Sequence, residues 1–114
     1  MKTAVVEFAK GFNVLIGNGR SQAATMVIDP KGHEGGSDNR HKGADQWLYV
    51  AEGDGEAVIE GRHVKLEPGS LVLIMHGETH EVRNTGSVPM KTLNFYVPAA
   101  YTKDGDELPA GQAE

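Results

Sequence analysis

The sequence predicts an all-β sandwich or barrel, and three observations support that fold class. Short apolar segments recur about every 8–12 residues with turn residues between them, as in antiparallel β architectures. Glycine supplies 15 of the 114 residues, about twice its usual share of ~7%. No window of about 11 or more residues carries an apolar stripe with helical periodicity. Because no repeat accounts for the glycines, they indicate many tight turns.

The first part of the chain predicts three strands and a long loop. The strands are expected at 3–8, 12–16 and 22–28, each bounded by glycine or another turn residue. Asn18 and Gly19 predict a hairpin turn that needs positive φ at both residues. Residues 31–45 are polar and rich in glycine, so we expect a loop with one short strand near 39–41.

The second part predicts more strands and ends in a segment of different composition. Strands at 46–51 and 56–60 are expected to form a hairpin across 53–55, and four more follow at 63–66, 70–75, 79–84 and 90–97. Residues 102–114 are acidic and contain one large apolar residue, Leu108, so they can bury little surface. We therefore expect one barrel domain over 1–101 and an acidic C-terminal tail over 102–114, either flexible or laid over the barrel.

Composition excludes several classes of protein and site. The chain has no cysteine, which rules out a disulfide scaffold, a thiolate metal site and a cysteine nucleophile. Acidic residues outnumber basic ones by 16 to 11, and the net charge of −5 argues against nucleic acid as a partner. The longest apolar run, 71–75, is far too short to span a membrane, and residues 1–8 lack the core of a signal peptide. We therefore expect a cytoplasmic protein with no membrane partner.

His80 is the first candidate for a metal ligand. Without cysteine, a transition-metal site must be built from imidazole and oxygen ligands. On a strand, His80, Val82 and Asn84 share one face, while the opposite face carries Glu81 and Arg83. The face with Val82 should therefore be the inner one. A lone inward histidine is either a hydrogen-bonded core residue or a ligand, and the strand pattern leaves both open.

A second polar group lies around His41. Asn39 and His41 share a face if the chain is extended, and Gly43 permits a turn before the strand that begins near Gln46. Across that turn, His41 and Gln46 can converge on one cation. The alternative is a polar loop on the rim of the barrel.

The second of these segments along the chain, around His80, resembles a motif of the cupin family. That motif reads Gly, five residues, Pro-x-Gly, two residues, His, three residues, Asn. Gly69, Gly77, His80 and Asn84 match it at the right spacing, and Met75 stands where proline is usual.

The first segment, around His41, resembles the other cupin motif, which reads His-x-His, three or four residues, Glu, six residues, Gly. His41 falls on the second histidine, Gln46 on the glutamate and Gly53 on the closing glycine. Asn39 stands at the first histidine position. The two motifs occur in order and at an interval typical of small single-domain cupins, and the resemblance covers about residues 20–97.

The resemblance implies a jelly-roll barrel, or double-stranded β-helix, that holds a divalent metal. His41, Gln46 and His80 would be the ligands, with Asn39 as a fourth candidate, and the ion would be Fe, Mn, Zn or Ni. Because these ligands are neutral, the ion would keep its 2+ charge and favour a small anionic organic substrate. A metal-dependent enzyme, of dioxygenase or isomerase type, is one expected function. The alternative is a metal-free cupin that binds or senses a small ligand.

The remaining candidates are peripheral. His33 could replace Asn39 as a ligand, and His76 could face the barrel mouth, although solvent is the simpler position for it. His63 is expected on the surface. Trp47 and Tyr49 alternate with inward residues, and two outward aromatic side chains on one strand favour a sheet-packing or dimer surface over a substrate platform. We therefore expect a homodimer.

Overall fold

Two antiparallel β-sheets face each other in the computed structural model, which describes residues 1–36 and 39–112. Over those residues the strands are β1 (Gly11–Gly17), β2 (Gln22–Ile28), β3 (His33–Gly36), β4 (Asp45–Glu52), β5 (Gly55–Ile59), β6 (Arg62–Leu66), β7 (Leu71–Ile74), β8 (His80–Asn84) and β9 (Met90–Val97). One sheet has the order β1-β2-β9-β4-β7 and the other β3-β8-β5-β6. The predicted all-β fold is confirmed. Within the same described ranges, no helix is both long and apolar enough to cross a membrane.

The alternation of side chains along β4 follows the prediction. Gln46 and Leu48 are buried, whereas Trp47 and Tyr49 are about two-fifths exposed on the other face. The same period of two holds on β8, where His80 is buried and Arg83 is not. The inner faces of both sheets therefore meet in the barrel interior.

The apolar core fills the space between the two sheets. Its buried members come from both sheets and are Met26, Ile28, Leu48, Val50, Ala57, Leu66, Val82 and Met90. At one end of the barrel the interior becomes polar, and Met26 and Val82 line both the core and the cavity found there. The core is thus the floor of that cavity.

The predicted strand at 3–8 is wrong. Residues 1–10 form no strand in the structure, and Val5 is 86% exposed. The apolar composition of 3–8 suits a strand, but a strand also needs a neighbour to bond with. Within the described residues of this single chain, the segment pairs with no strand.

The turn at Asn18 and Gly19 is also different from the prediction. The hairpin exists, but its loop has four residues, and neither Asn18 nor Gly19 has a positive φ. The Asn18 amide donates to the carbonyl of Ser21, and the Asn18 side chain accepts from the backbone of Arg20 and Ser21. The asparagine side chain therefore closes the turn, which removes the need for a left-handed backbone.

The predicted hairpin across 53–55 is wrong as well. β4 pairs with β7 and β9, whereas β5 pairs with β6 and β8 in the other sheet. Gly53, at φ +89°, therefore lies at a corner where the chain changes sheets. Strand composition cannot distinguish such a corner from a hairpin, because both use glycine-rich turns.

The loop predicted at 31–45 has its strand in a different place. The strand is β3 at His33–Gly36, and residues 39–41 are not part of any strand. The backbone of this second stretch still bonds to another segment, since the His80 amide donates to the Asn39 carbonyl at 2.8 Å. Residues 37 and 38, in the same predicted loop, lie outside the described residues.

The C-terminal segment lies against the barrel. The Gln22 side chain bonds both backbone groups of Tyr101, with its amide donating to the carbonyl at 2.6 Å. Further along, a short 3₁₀ turn at Pro109–Gly111 brings the Ala110 carbonyl to the Gly43 amide at 2.8 Å. Residues 113 and 114 of the predicted tail are outside the described part of the chain.

The outer faces of the two sheets differ in chemistry. The five-stranded sheet exposes Trp47 between its cross-strand partners Leu73 and Phe95, all three about two-fifths exposed. The outer face of the five-stranded sheet is therefore largely apolar, although Lys91 also pairs with Glu52 there at 2.9 Å. The four-stranded sheet carries ion pairs of Arg83 with Glu56 and Glu81 on its outer face.

Candidate metal centre

The two motif segments are held side by side by backbone hydrogen bonds. The Gly77 amide donates to the His41 carbonyl at 2.7 Å, and the His80 amide donates to the Asn39 carbonyl at 2.8 Å. These bonds bring the rings of His41 and His80 to a centroid separation of 5.0 Å at an angle of 31°. Two histidines from distant parts of the chain thus share one cavity.

Glycine at position 35 permits the close approach of Asn39 to His80. Gly35 has φ +78°, and a Cβ at this position would lie 2.6 Å from the His80 carbonyl oxygen and 2.9 Å from Asn39 Nδ2. Both contacts are too short for a real side chain. β3 therefore needs glycine here, because any other residue would push Asn39 or β8 out of place.

The tautomer of His80 is fixed by the backbone. His80 Nδ1 lies 3.2 Å from the carbonyl oxygen of Glu78, which can only accept, so Nδ1 carries the proton. Nε2 is then an unprotonated lone pair in the cavity, and Asn39 Nδ2 donates to it at 3.3 Å. Burial lowers the pKa of His80 to about 4, so the ring is neutral at neutral pH.

His41 faces Gln46 across the cavity. His41 Nε2 lies 3.1 Å from Gln46 Oε1, and both side chains are almost fully buried. Burial lowers the pKa of His41 as well, against smaller raising effects of Gln46 and of the Gly111 backbone. His41 Nδ1 is buried without a hydrogen-bond partner among the described residues. The lowered pKa leaves the ring neutral, and because Gln46 Oε1 can only accept, we place the ring proton on Nε2.

Two residues that the sequence analysis missed complete the polar interior. Gln46 Nε2 donates to Asn94 Oδ1 at 2.9 Å, and Asn94 Nδ2 donates to Thr92 Oγ1 at 3.0 Å. Thr92 in turn donates to the Met26 carbonyl at 2.8 Å. The signal was present, because Thr92 and Asn94 alternate with outward residues on β9 and are polar at inward positions.

The opposite wall of the cavity is aromatic. Phe12, Tyr96 and Tyr101 pack with ring centroids 4.7–6.3 Å apart, and His41 meets both tyrosines edge-on. The cavity has a volume of about 190 Å³. Its lining contains one carboxylate, Glu34, and no lysine or arginine side chain from the described residues. An anion entering it would therefore meet no cationic side chain of the described lining.

The two tyrosines are neutral phenols at physiological pH. Burial raises the pKa of Tyr101 to about 12, and the nearby carboxylates of Glu107 and Glu34 contribute to that rise. Burial also raises the pKa of Tyr96 well above its ordinary range, followed by the effect of Tyr101. Each hydroxyl group therefore keeps its proton.

The structure brings Asn39, His41, Gln46 and His80 into one cavity lining. The other histidines are outside it: His33 lies near Glu81, His63 on Glu56 and His76 on Asp45, with side chains at least 60% exposed. Over residues 1–36 and 39–112, no three His, Cys, Asp or Glu side chains are grouped to hold a metal. The oxygen atom that faces the His41 ring is therefore that of an amide, Gln46 Oε1.

Asn84, the last residue of the second motif, has a structural position instead. Its side-chain amide donates to the carbonyls of Ile28 and Val88, both at 2.8 Å, and its oxygen accepts from the Gly86 amide. These bonds tie β8 to β2 and to the following turn. Asn84 thereby fixes the end of the strand that carries His80.

Comparison with known proteins agrees with this architecture. The tetracenomycin polyketide synthase protein TcmJ of Streptomyces glaucescens is 28% identical over 64 residues, which are 56% of this chain and 43% of that protein. The chain thus spans less than half the length of this curated relative.

Among solved structures, a protein of Bacillus halodurans has a TM-score of 0.72 at 25% identity, covering 92% of this chain and 77% of its own. A predicted oxalate decarboxylase of Thermotoga maritima has a TM-score of 0.69 at 22% identity, covering 77% and 79%. The family model described as the cupin domain matches residues 24–96, which include both motifs and the side chains of Asn39, His41, Gln46 and His80. The chain belongs to the cupin family.

Proposed function

We propose that this cupin is a metal-dependent enzyme, and that His41, Gln46 and His80 hold a divalent first-row metal ion in the barrel. One observation carries the proposal. The backbone carbonyl of Glu78 holds the proton of His80 on Nδ1, so Nε2 presents a lone pair to the same cavity that receives His41 Nε2 and Gln46 Oε1. Such a second hydrogen bond is the usual device that orients a metal-ligating histidine.

The donor set suits an ion of intermediate hardness. Two imidazole nitrogens and one amide oxygen are acceptable ligands for Fe, Mn, Zn or Ni. With a metal on His41 Nε2, the ring proton would move to Nδ1, the buried atom that has no partner among the described residues of the metal-free protein. Asn39 is a fourth candidate only if its amide turns over, because Nδ2 now faces His80.

The proposed substrate is a small organic anion. When bound, the metal would act as a Lewis acid that polarises a substrate oxygen. All three ligands are neutral, so its 2+ charge would be undiminished, and it would offset the repulsion from Glu34 in a lining without a cationic side chain from the described residues. The volume of about 190 Å³ is close to that of a cavity that holds benzene, ~150 Å³, so a drug-sized molecule would not fit.

The chain's own groups would orient this substrate. One hydroxyl of the Tyr96–Tyr101 pair would donate a hydrogen bond to an oxygen atom of the substrate, since both phenols keep their protons. Phe12, Met26 and Val82 line the apolar side and would exclude water from the reacting atoms. The reaction type that we propose is oxygenation or isomerisation, and oxygen consumption would separate the two.

A metal-free binding module is the second candidate, and one observation favours it. Without a metal, the proposed ligand side chains already form hydrogen bonds to each other. Asn39 bonds His80 at 3.3 Å, and His41 bonds Gln46 at 3.1 Å. Such a cavity would bind a small neutral ligand through the same groups.

Metal analysis of protein purified without a polyhistidine tag tests the proposal. About one first-row metal ion per chain would support the enzyme. Absence of metal, together with no thermal stabilisation by added Mn²⁺, Fe²⁺, Zn²⁺ or Ni²⁺, would support the binding module instead.

A further inference from the structure

A chain of four hydrogen bonds runs through the barrel interior and ends on the backbone. It begins at His41 and passes through Gln46, Asn94 and Thr92 to the carbonyl of Met26. Asn94 and Thr92 are fully buried. Neither of them lines the cavity, so neither can touch a ligand there.

The direction of this chain is set at its far end. The Met26 carbonyl can only accept, so the single proton of the Thr92 hydroxyl is used there. Thr92 Oγ1 can then only accept from Asn94, which must present its NH₂ group to Thr92 and its oxygen to Gln46. Gln46 must accordingly present its NH₂ group to Asn94, which leaves Oε1 directed at His41 and the cavity.

We propose that Thr92 and Asn94 are positioning residues, which hold the Gln46 amide with its oxygen toward the metal position. This inference rests on the proposed function, because the orientation of the Gln46 amide matters only if its oxygen binds a metal ion. An amide turned the other way would direct two N–H groups at a cation, and an N–H group is no ligand.

The same chain favours glutamine over glutamate at position 46. Asn94 Oδ1 needs a donor, and the Gln46 NH₂ group supplies one at 2.9 Å. A carboxylate would set two acceptor oxygens against each other at this buried position. Asn94 thus gives a physical reason for glutamine, rather than the usual glutamate, at position 46.

Removing the Thr92 hydroxyl should reverse the chain. In Thr92→Val, the NH₂ group of Asn94 would be buried without an acceptor. An unpaired carbonyl is better tolerated in a protein interior than an unpaired N–H group. Asn94 would therefore turn its oxygen toward the methyl groups of the new side chain, and Gln46 would turn its NH₂ group toward His41. Thr92→Ser keeps the hydroxyl and is the matched control.

The first test needs no metal. In NMR spectra of the chelator-treated protein, the Gln46 Nε2 protons should show contacts to Asn94 in the wild type and in Thr92→Ser. In Thr92→Val they should show contacts to the His41 ring. Contacts to His41 in the wild type, or no change in Thr92→Val, would overturn the positioning role.

The second test measures Co²⁺ binding by calorimetry on the folded proteins. Thr92→Val should bind Co²⁺ about tenfold more weakly than the wild type, as the cost of one misplaced buried polar group implies, while Thr92→Ser binds within about threefold. Val50→Ala, a core variant outside the hydrogen-bond chain, controls for lost stability and should keep its affinity. Equal weakening in Val50→Ala and Thr92→Val would reduce Thr92 to a structural role.

The two tests fail separately. If the wild type binds no Co²⁺, the proposed metal centre is wrong, whereas the NMR contacts still decide which way the Gln46 amide points. If the wild type binds Co²⁺ and Thr92→Val binds it equally well, the metal centre stands and the positioning role is wrong.

Discussion

The rings of His41 and His80 lie 5.0 Å apart in a cavity where burial lowers the pKa of both. Two imidazoles so close cannot both be charged without strong repulsion, and His41 itself lowers the pKa of His80. The pair is therefore neutral at physiological pH, which is the state that a metal requires.

This relationship predicts how stability depends on pH. The unfolded chain protonates His80 as the pH falls through about 6.5, whereas the folded protein does so only near pH 4. The contribution of neutral His80 to the free energy of unfolding is therefore fully present above pH 6.5 and is lost as the pH falls toward 4. Between pH 7.5 and 5, metal-free protein should lose about 2 kcal/mol through His80, and His41 should add to that loss in the same direction.

Urea unfolding of chelator-treated protein at the two pH values measures the effect. His80→Gln should show a smaller loss than the wild type. His76→Gln, which removes a histidine 65% exposed in its side chain, should leave the loss unchanged. The same pH dependence in all three proteins would contradict the assignment to His80.

Substitution of His80 should abolish metal-dependent stabilisation. A ligand that binds only the folded state adds about 2.7 kcal/mol at a hundredfold excess over its dissociation constant. Added Mn²⁺ should therefore raise the Tm of the wild type and of His76→Ala, and leave that of His80→Ala unchanged. Differential scanning calorimetry measures this, and a Tm rise in His80→Ala equal to that of the wild type would remove His80 from the site.

Gln46→Glu should have opposite effects with and without metal. Without metal, the new carboxylate faces Asn94 Oδ1 in the interior and should destabilise the fold by about 1–3 kcal/mol. With Mn²⁺ the loss should be recovered, because an anionic oxygen binds a hard divalent ion better than a neutral amide does. Thermal unfolding with and without Mn²⁺ measures both effects. A loss that no metal rescues would favour the metal-free binding module.

The apolar outer face of the five-stranded sheet predicts a homodimer. A second copy of this chain is the occupant we expect there, since the side chains around Trp47 are apolar, whereas the other sheet has Arg83 paired with Glu56 and Glu81 on its outer face. Sedimentation velocity should give twice the 12.2 kDa of one chain. Leu73→Glu should yield the monomer, and His63→Glu, on the charged face, should stay dimeric. A monomeric wild type would contradict the prediction.

The two hydrogen bonds between the Gln22 side chain and the Tyr101 backbone should limit the mobility of the C-terminal segment. Gln22→Leu removes both side-chain bonds to the Tyr101 backbone, so hydrogen exchange over 101–112 should become faster. Lys103→Ala, which alters an exposed residue of the same segment, is the control. Unchanged protection in Gln22→Leu would show that the backbone bonds from Lys42 and Gly43 to the segment suffice to hold it.

Much of the architecture could be predicted because burial and strand periodicity coincide. The period of two along β4 and β8 is enough to assign Gln46 and His80 to inward positions from the sequence. The pairing of neighbouring strands could not be predicted from the sequence, because the corner at Gly53 and a hairpin use the same turn residues. The strand predicted at 3–8 is wrong for a similar reason, because composition does not show whether a segment has a neighbouring strand to bond with.

The residues of the candidate centre likewise fall into those that the sequence predicts and those that only the structure reveals. His41, Gln46 and His80 have chemistry and spacing that motifs report. Thr92 and Asn94 act through hydrogen bonds whose direction depends on the Met26 carbonyl of another strand. No local pattern encodes a bond between residues 66 positions apart, so that part of the site required the structure.

Phe12 and Tyr101 belong to the cavity wall but lie outside residues 24–96, the part that matches the family. Residues 24–96 thus contain the four polar side chains Asn39, His41, Gln46 and His80, and the segments on either side add two aromatic rings to the wall. Exchange of the flanking segments between related barrels should therefore change the aromatic part of the wall and leave its polar part in place.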